Sequence, residues 1–295
     1  LGISSNISHM PYIVIYPTIK GLKAFFSFGA SDKALDVVGK GHSSFDGTND
    51  YITTENPDFT NTEDFTVALW IKTTDSSKQG PLIGVPTDGS GGYWSVKIKS
   101  TGRVSMTFTD GTNSINNLDS GTSWNDGKWH HIAYTVSRID GCKHYRYEEG
   151  ELTQSRGSTS VTGDLSSTSS LYIGANNGTG NQDSFFNGDI KNAAIWNRVL
   201  SSDEINSIMY KEYSELSVSE LTDLKMWLPL DSDSDTAYSN AHSSSYNGTN
   251  SGSTLVTDTY GLNSPIKPRA FDNSPEVEAE YVGSGSANMD GAADT

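Results

Sequence analysis

Short runs of alternating apolar and polar residues dominate the pattern of the chain. In residues 65–72, the side chains of Phe65, Val67, Leu69 and Ile71 share one face, the period-two pattern of a strand with one side in a core. Clusters of Gly, Asn and Asp, which favour tight turns, separate such runs. Further strands are predicted at 22–28, 43–45, 51–53, 81–85, 93–98, 104–109, 130–137, 143–148, 170–174 and 189–197. Many short strands joined by tight turns indicate an all-β sandwich or jelly roll.

Two capping patterns predict the helical parts of the chain. Ser201 is followed three residues later by Glu204, a capping box that would start a short helix after the last strand. Ser217 and Glu220 repeat the pattern and predict a second helical stretch, after which the chain returns to strand at 225–230. We expect the first helix to pack back on the sandwich.

Composition narrows the range of partners. The 36 acidic and 20 basic residues give a net charge of −16 at pH 7, which opposes binding to DNA or RNA. Cys142 is the single cysteine, so an intrachain disulfide and a cysteine-type zinc site are excluded. No run approaches the roughly 18 to 20 apolar residues of a membrane span. We therefore predict neither nucleic-acid binding nor membrane insertion.

The chain contains an internal repeat. Residues 38–50 and 282–294 share the skeleton VGxGxxxΦDGxxD, where Φ is apolar. A second echo precedes each of them, because LKAFFSF at 22–28 resembles LKMWLPL at 224–230. Two matches in the same order indicate that a second unit begins near residue 224.

These patterns divide the chain into four predicted parts. Residues 1–20 form an extended N-terminal arm, 21–212 the sandwich, 213–223 a helical linker and 224–295 the start of a second β unit. In one alternative the parent polypeptide continues beyond Thr295 and completes that unit. In the other, the last segment, from about residue 214, packs onto a neighbouring domain or subunit as a donated segment.

Five motifs in order carry a family resemblance. They are FDGTNDYI at 45–52, FTVALWIK at 65–72, GKWHHIA at 127–133, LYIG at 171–174 and FNGDIKNAAIWNRVLS at 186–201. The segment 21–209 resembles the laminin-G-like, concanavalin-A-like jelly roll, in particular its bacterial and phage form. The resemblance implies two curved antiparallel sheets followed by one short helix, often with calcium at the rim and sometimes with a carbohydrate site. An incomplete second β unit would follow this fold.

Candidate calcium ligands follow from the resemblance and from clustered side-chain oxygens, which calcium prefers. In relatives the closing strand reads Gly-x-Ile-Asp-Asp, whereas here Lys191 and Asn192 replace both carboxylates. The alternative is that Asp46 and Gly47 simply make a turn. The candidate ligands are Asp36, Asp46, Asn49 and Asp50.

Candidate carbohydrate-binding residues are aromatic side chains in or beside loops rich in Gly and Asn, where a ring could stack on a sugar. They are Tyr93, Trp94, Trp124 and Tyr147. For Trp94 and Trp124 a place in the core is an equal alternative. The core is the favoured interpretation for Trp70, Trp129 and Trp196.

The sequence offers no catalytic set. His130 and His131 are neighbours in a predicted strand, so their side chains point to opposite faces and cannot serve one site. A glucanase of this fold needs two carboxylates on one strand face. The nearest match is EEGE at 148–151, which is better explained as a hairpin turn.

The sequence favours two functions. The first is a non-enzymatic structural or adhesive module of a virion or cell-surface appendage, which associates with copies of itself or with other appendage proteins. The second is a carbohydrate-binding module for surface glycans, with calcium as a conditional cofactor. Both imply an extracellular, cell-surface or virion-surface location. A glycoside hydrolase is a third alternative and would need the missing carboxylate pair.

Overall fold

The computed structural model describes residues 41–57, 63–77, 80–86, 89, 92–148, 151–156, 161–176, 185–231 and 236–257. All described residues belong to one compact unit, which spans residues 38–259. The predicted arm, the predicted strand at 22–28 and the repeat motif at 282–294 lie outside the described residues.

Two antiparallel sheets, each with eight strands among the described residues, form the fold. The first sheet holds β1 (Gly41–Asp46), β3 (Phe65–Lys72), β8 (His130–Ser137), β9 (Gly141–Glu148), β10 (Glu151–Arg156), β12 (Asn187–Trp196), β13 (Leu224–Leu228) and β16 (Thr254–Thr257). The second holds β2 (Tyr51–Thr54), β4 (Gly80–Val85), β5 (Gly92–Ile98), β6 (Arg103–Asp110), β7 (Ser114–Ser123), β11 (Leu171–Ile173), β14 (Ala237–Tyr238) and β15 (Gly248–Ser251). The helical elements described are α1 (Ser202–Ile208), a 3-10 turn (Tyr213–Glu215) and α2 (Val218–Leu221).

The strand order confirms the predicted two-sheet sandwich. It runs β10-β9-β8-β3-β12-β1-β16 in the first sheet, where β13 also pairs with β12, and β14-β15-β2-β11-β4-β5-β6-β7 in the second. The inward residues of β3, among them Val67 and Leu69, are fully buried in the core between the sheets. The opposite face of β3 is covered too, because Trp70 donates a hydrogen bond from Nε1 to the carbonyl oxygen of Met209 at 3.1 Å.

Helix α1 lies on the outer face of the first sheet and begins as the sequence predicts. Ser201 accepts a hydrogen bond at Oγ from the backbone N–H of Glu204, whose carboxylate accepts one from the backbone N–H of Ser201 at 2.9 Å. The buried side chains of Ile205 and Ile208 join Trp196 in a second apolar cluster under the helix. Helix α2 has the same capping box at Ser217 and Glu220. Both capping predictions are therefore confirmed.

Two ion pairs tie the helical segment together. Arg198 contacts Glu204 through both guanidinium nitrogens, at 2.7 and 3.1 Å. Lys211 contacts Glu220 at 2.7 and 2.8 Å. The hydrogen bonds from Arg198 hold the pKa of Glu204 below its usual value. Burial alone would raise the pKa of Glu220, but the bonds from Lys211 and the capping N–H outweigh it, so this pKa is lowered as well.

Replacing Lys211 with Met should destabilise the fold at neutral pH more than in acid. A carboxyl with a lowered folded pKa stabilises the fold above its unfolded pKa, and that stability is lost as the pH falls through the folded value. Without the ammonium, Glu220 keeps its burial but loses its partner, so we expect a loss of about 1–2 kcal/mol at neutral pH. Urea unfolding across a pH series should show that this loss shrinks as the pH falls, because the wild-type protein also loses the ion pair once Glu220 is protonated. The half-buried Lys225, changed to Met, is the matched control, and identical profiles for the two variants would contradict this account.

The residues after α2 belong to the same sandwich, which corrects the predicted domain boundary. β13 and β16 join the first sheet, and β14 and β15 join the second, through pairing with β12, β1 and β2. Residues 224–257 are therefore not the start of a separate unit, because their backbone hydrogen bonds and apolar side chains complete the two sheets of the sandwich. Residues 258–295 lie outside the described residues.

Candidate functional site

The β1–β2 turn holds three of the predicted calcium ligands. Asp46 accepts hydrogen bonds at Oδ1 from the backbone N–H groups of Thr48 at 2.7 Å and Asn49 at 3.4 Å. Asp50 is buried and accepts one at Oδ2 from the N–H of Asp46 at 2.8 Å. The carboxylates thus stabilise the turn, which is the alternative that the sequence left open.

The described residues of this turn bring together two carboxylates, those of Asp46 and Asp50. Calcium takes six to eight oxygen ligands, and the described residues contain no group of three or more His, Cys, Asp or Glu that could hold a metal. Burial raises the pKa of Asp50, and the charge of Asp46 raises it further. Asp36 lies outside the described residues, and a calcium site formed by Asp36 and this turn stays a prediction.

Two of the predicted carbohydrate-binding residues are in the core, which is a correction. Trp94 is 1% exposed and packs against Phe65, with ring centroids 5.7 Å apart. Trp124 is 2% exposed and lies against His130 at 4.7 Å. Neither ring can stack on a sugar. Tyr93 is half-buried on β5, and the side chain of Tyr147 lies outside the described residues.

The three tryptophans that the sequence assigns to the core, and the adjacent pair His130 and His131, lie as predicted. Trp70, Trp129 and Trp196 are buried. His130 contacts Trp124, whereas His131 contacts Trp70 on the opposite face of the sheet. Complete burial lowers the pKa of His131 to about 3, so its imidazole is neutral near pH 7 and serves as a packing group.

The single thiol is buried in the core and should not react with thiol reagents in the folded protein. Cys142 is 2% exposed, and burial raises its pKa to about 12. Because the thiolate is the reactive form, we expect a thiol reagent such as dithionitrobenzoate to label the chain only after unfolding. Rapid labelling in native buffer would contradict the described packing of β9.

Three half-buried aromatic rings form a patch on the outer face of the second sheet. The ring centroid of Tyr51 lies 5.9 Å from that of Tyr172 and 6.5 Å from that of Phe185. Tyr51 and Tyr172 face outward because their strand neighbours Ile52 and Ile173 point into the core. We call Tyr51, Tyr172 and Phe185 the tyrosine patch. Its rings offer a partly exposed apolar surface at the middle of the sheet.

A polar cavity of about 420 Å³ adjoins this patch. Strand pairing places Thr53 directly beside Tyr172 and Thr249 directly beside Thr53, so patch and cavity share one face. Glu55 is the one charged side chain among the lining residues. The lining residues are Thr53, Thr54, Glu55, Ser170, Ser244, Ser245, Tyr246, Asn247 and Thr249. We call this space the polar cavity.

The loop that closes the polar cavity is held in place by two asparagines. Asn240 is buried, accepts a hydrogen bond at Oδ1 from the N–H of Trp227 at 2.9 Å and donates one from Nδ2 to the carbonyl of Ser245 at 2.8 Å. Asn247 accepts one at Oδ1 from the N–H of Asn240 at 2.8 Å. Tyr246 has a φ of 61°, a left-handed conformation that costs a non-glycine residue about 1–2 kcal/mol. The loop therefore presents its hydroxyl and amide groups in a fixed, pre-organised arrangement.

The arrangement suits a ligand with both apolar and hydroxyl faces. Aromatic rings can stack on the C–H face of a pyranose, while hydroxyl and amide groups exchange hydrogen bonds with its hydroxyls. Neither Tyr51 nor Tyr172 was among the predicted carbohydrate-binding residues, although both stand in the motifs that carry the family resemblance. A usable signal was present, since each alternates with apolar residues along its strand.

The fold and the sequence together define the class of protein. A family model for the laminin G type of the concanavalin A-like lectin/glucanase superfamily matches residues 46–206. This chain therefore belongs to that superfamily, and the resemblance seen in the sequence is confirmed.

Two solved structures are similar to this chain. A protein from Bacteroides ovatus described as a candidate carbohydrate binding protein has a TM-score of 0.54 at 19% identity, over 74% of this chain and 60% of that one. The heptameric SAP-like pentraxin of Limulus polyphemus has a TM-score of 0.43 at 14% identity, over 61% and 84% of the two chains. The first likeness supports the sandwich architecture.

A curated relative is similar in sequence over a short stretch. The rat sushi, von Willebrand factor type A, EGF and pentraxin domain-containing protein 1 is 30% identical over 156 residues, which is 52% of this chain and 4% of that protein. The chain thus spans a small fraction of this relative. Within the described residues, no helix is long and apolar enough to cross a membrane.

Proposed function

We propose that this domain is a non-enzymatic adhesive module that binds carbohydrate on the outer face of its second sheet. The observation that carries the proposal is the tyrosine patch beside a polar cavity of about 420 Å³, both on one face. Membership of a superfamily that includes lectins is consistent with it. An adhesive module of this kind acts outside the cell, at a cell or virion surface.

The charge of the site restricts the class of glycan. Glu55 is the one charged residue lining the polar cavity, and the chain as a whole carries a net charge of −16. An acidic sugar would meet repulsion without a paired cation in the cavity. Neutral glycans are therefore the expected ligands, at micromolar to millimolar affinity.

A glycan array with the whole chain tests the proposal. Selective binding to neutral glycans supports the proposal. No binding to any glycan on the array, or binding limited to sialylated glycans, contradicts it. Running the array with calcium and then with EDTA tests the separate calcium prediction. Because the cavity holds one carboxylate, we expect the signal to survive EDTA.

Replacing Tyr172 with Ala should weaken glycan binding about two- to tenfold, since a lost aromatic contact is worth about 0.5–1.5 kcal/mol. Isothermal titration with a glycan selected on the array measures the change. Tyr93→Ala is the matched control, because Tyr93 is half-buried on the same sheet but lies on β5, away from the patch. If Tyr93→Ala weakened binding and Tyr172→Ala did not, the proposed site would be wrong, and the glycan would bind near Tyr93, as the sequence predicted.

A structural role in a virion or cell-surface appendage is the second candidate function. The internal repeat favours it, because the chain holds two copies of two motifs and could link one sandwich to the next. It predicts association with copies of itself or with other appendage proteins. Mass photometry across protein concentrations tests it, and a strictly monomeric chain would count against it.

A further inference from the structure

One row of residues crosses five strands on the outer face of the second sheet. Strand register places Thr249 of β15 opposite Thr53 of β2, and Thr53 opposite Tyr172 of β11. Tyr172 lies opposite Gly84 of β4, which in turn lies opposite Ser95 of β5. We call these five residues the cross-strand row.

The cross-strand row continues the glycan site beyond the tyrosine patch. Thr249 and Thr53 line the polar cavity, and Tyr172 belongs to the patch. Gly84 and Ser95 follow on the next two strands. Adjacent strands are about 4.8 Å apart, so the whole row spans about 19 Å, about twice the length that the cavity and the patch occupy.

The far end of the row points away from the core and has a low floor. Ile83 and Val96 lie in the core, and successive side chains of a strand point to opposite faces, so positions 84 and 95 face outward. An added Cβ at Gly84 would lie 2.6 Å from the carbonyl oxygen of Trp94 and 2.7 Å from Cα of Ser95. Because these are backbone atoms, no larger residue fits there. Ser95 is half-buried, so the floor consists of backbone and one small hydroxyl group.

Larger side chains flank one side of the cross-strand row. Tyr51 and Lys97 are each two residues along the strand from Thr53 and Ser95, and the register of the strands places both on the same side of the row. Both are half-buried. Tyr51 extends the aromatic surface of Tyr172 at a centroid distance of 5.9 Å, and the ammonium of Lys97 can donate hydrogen bonds farther along. The row is thus a shallow channel with aromatic and hydrogen-bonding groups along one edge.

We propose that the site binds a linear, neutral glycan chain that lies across the strands along the cross-strand row. The inference rests on the proposed function and names its substrate class, an extended stretch of several sugar units rather than one terminal sugar. One unit occupies the polar cavity, the next stacks on Tyr172, and further units lie over Gly84 and Ser95. Branches on the side of Tyr51 and Lys97 would meet that flank, so an unbranched chain fits best.

The dependence of affinity on chain length tests the inference. Isothermal titration compares the monosaccharide, disaccharide, trisaccharide and tetrasaccharide of the linear neutral glycan with the strongest signal on the array. We expect the tetrasaccharide to bind about tenfold more tightly than the monosaccharide, a difference of about 1.4 kcal/mol, because it adds contacts beyond the patch. Equal affinities would overturn the inference, and so would an array on which only branched glycans bind.

The change Ser95→Leu tests the far end of the row. The leucine side chain fills the floor beyond the patch, so we expect the tetrasaccharide to lose most of its gain in affinity while the monosaccharide binds as before. Unchanged monosaccharide binding also verifies that the variant is folded. Ser114→Leu is the matched control and should change neither affinity, because it makes the same change on the same sheet at an exposed position of β7, opposite Thr109 and outside the row. If Ser95→Leu keeps the full gain with chain length, the inference is wrong.

These outcomes separate the inference from the proposed function. A gain with chain length that Ser95→Leu removes supports both. Monosaccharide binding that Tyr172→Ala weakens, without any gain with chain length, supports the glycan site and overturns its extension along the row. If no glycan binds at all, the proposed function and this inference are both overturned.

Discussion

Replacing Trp196 with Ala lowers the free energy of unfolding by about 3–5 kcal/mol, the range for a fully buried Trp. Trp196 is 0% exposed and sits where β12 meets the helices. Its Nε1 donates a hydrogen bond to the carbonyl of Glu220 at 2.7 Å, and its ring meets that of Trp227 edge-on at 6.0 Å. The change removes packing on β12, β13 and α2 together.

The conservative change Trp196→Phe separates packing from the hydrogen bond. It keeps most of the ring volume and loses the donor to Glu220, so we expect a loss of about 1–2 kcal/mol. Urea unfolding followed by tryptophan fluorescence and circular dichroism measures both variants. An Ala variant as stable as the Phe variant would mean that the helical segment is not packed on β12 as described.

The second large effect is expected at Gly174, where changing Gly to Ala should cost about 2–4 kcal/mol. The residue has a φ of 82°, which disfavours a side chain, and an added Cβ would lie 2.5 Å from the ring of Phe45. Phe45 is 2% exposed and part of the core, so its ring cannot move away freely. Backbone strain and overpacking therefore add.

Gly121 provides the matched control for this change. Its φ is 74°, but an added Cβ would meet nothing within 4 Å. Gly121→Ala should thus show the backbone cost alone, about 1–2 kcal/mol. Thermal unfolding of the two variants measures the difference, and equal losses would contradict the close contact between Gly174 and Phe45.

The local patterns predicted most of the fold. The alternation in β3 identified its inward face, and the capping boxes at Ser201 and Ser217 located both helices. These features depend on neighbours within a few residues, which a sequence displays directly. The family motifs then supplied the two-sheet arrangement.

Two sequence predictions failed, for different reasons. Nearby glycines gave a sugar contact at Trp94 the same weight as a place in the core, yet Trp94 lies on the same strand face as Val96 and Ile98 and therefore faces the core. The alternation of inward and outward side chains along β5 would have decided between the two alternatives. The domain boundary failed for another reason, because the repeat shows that two segments are alike but not where either one packs.

The polar cavity could not be predicted from sequence. Thr53 and Thr249 are almost 200 residues apart and become neighbours because β15 pairs with β2. The loop that presents Tyr246 is fixed by hydrogen bonds of Asn240. The composition of this loop is that of any polar loop, so the sequence does not mark it as special. Only the strand pairing brings these groups beside Tyr172.

Amide chemical-shift mapping tests the central claim most directly. The whole chain, labelled with nitrogen-15, is titrated with a neutral glycan chosen on the array. We predict that the largest shifts fall on β2, on β11 and on residues 244–249, which together surround the tyrosine patch and the polar cavity. Shifts confined to the β1–β2 turn or to the first sheet, or no shifts at all, would contradict the proposed site.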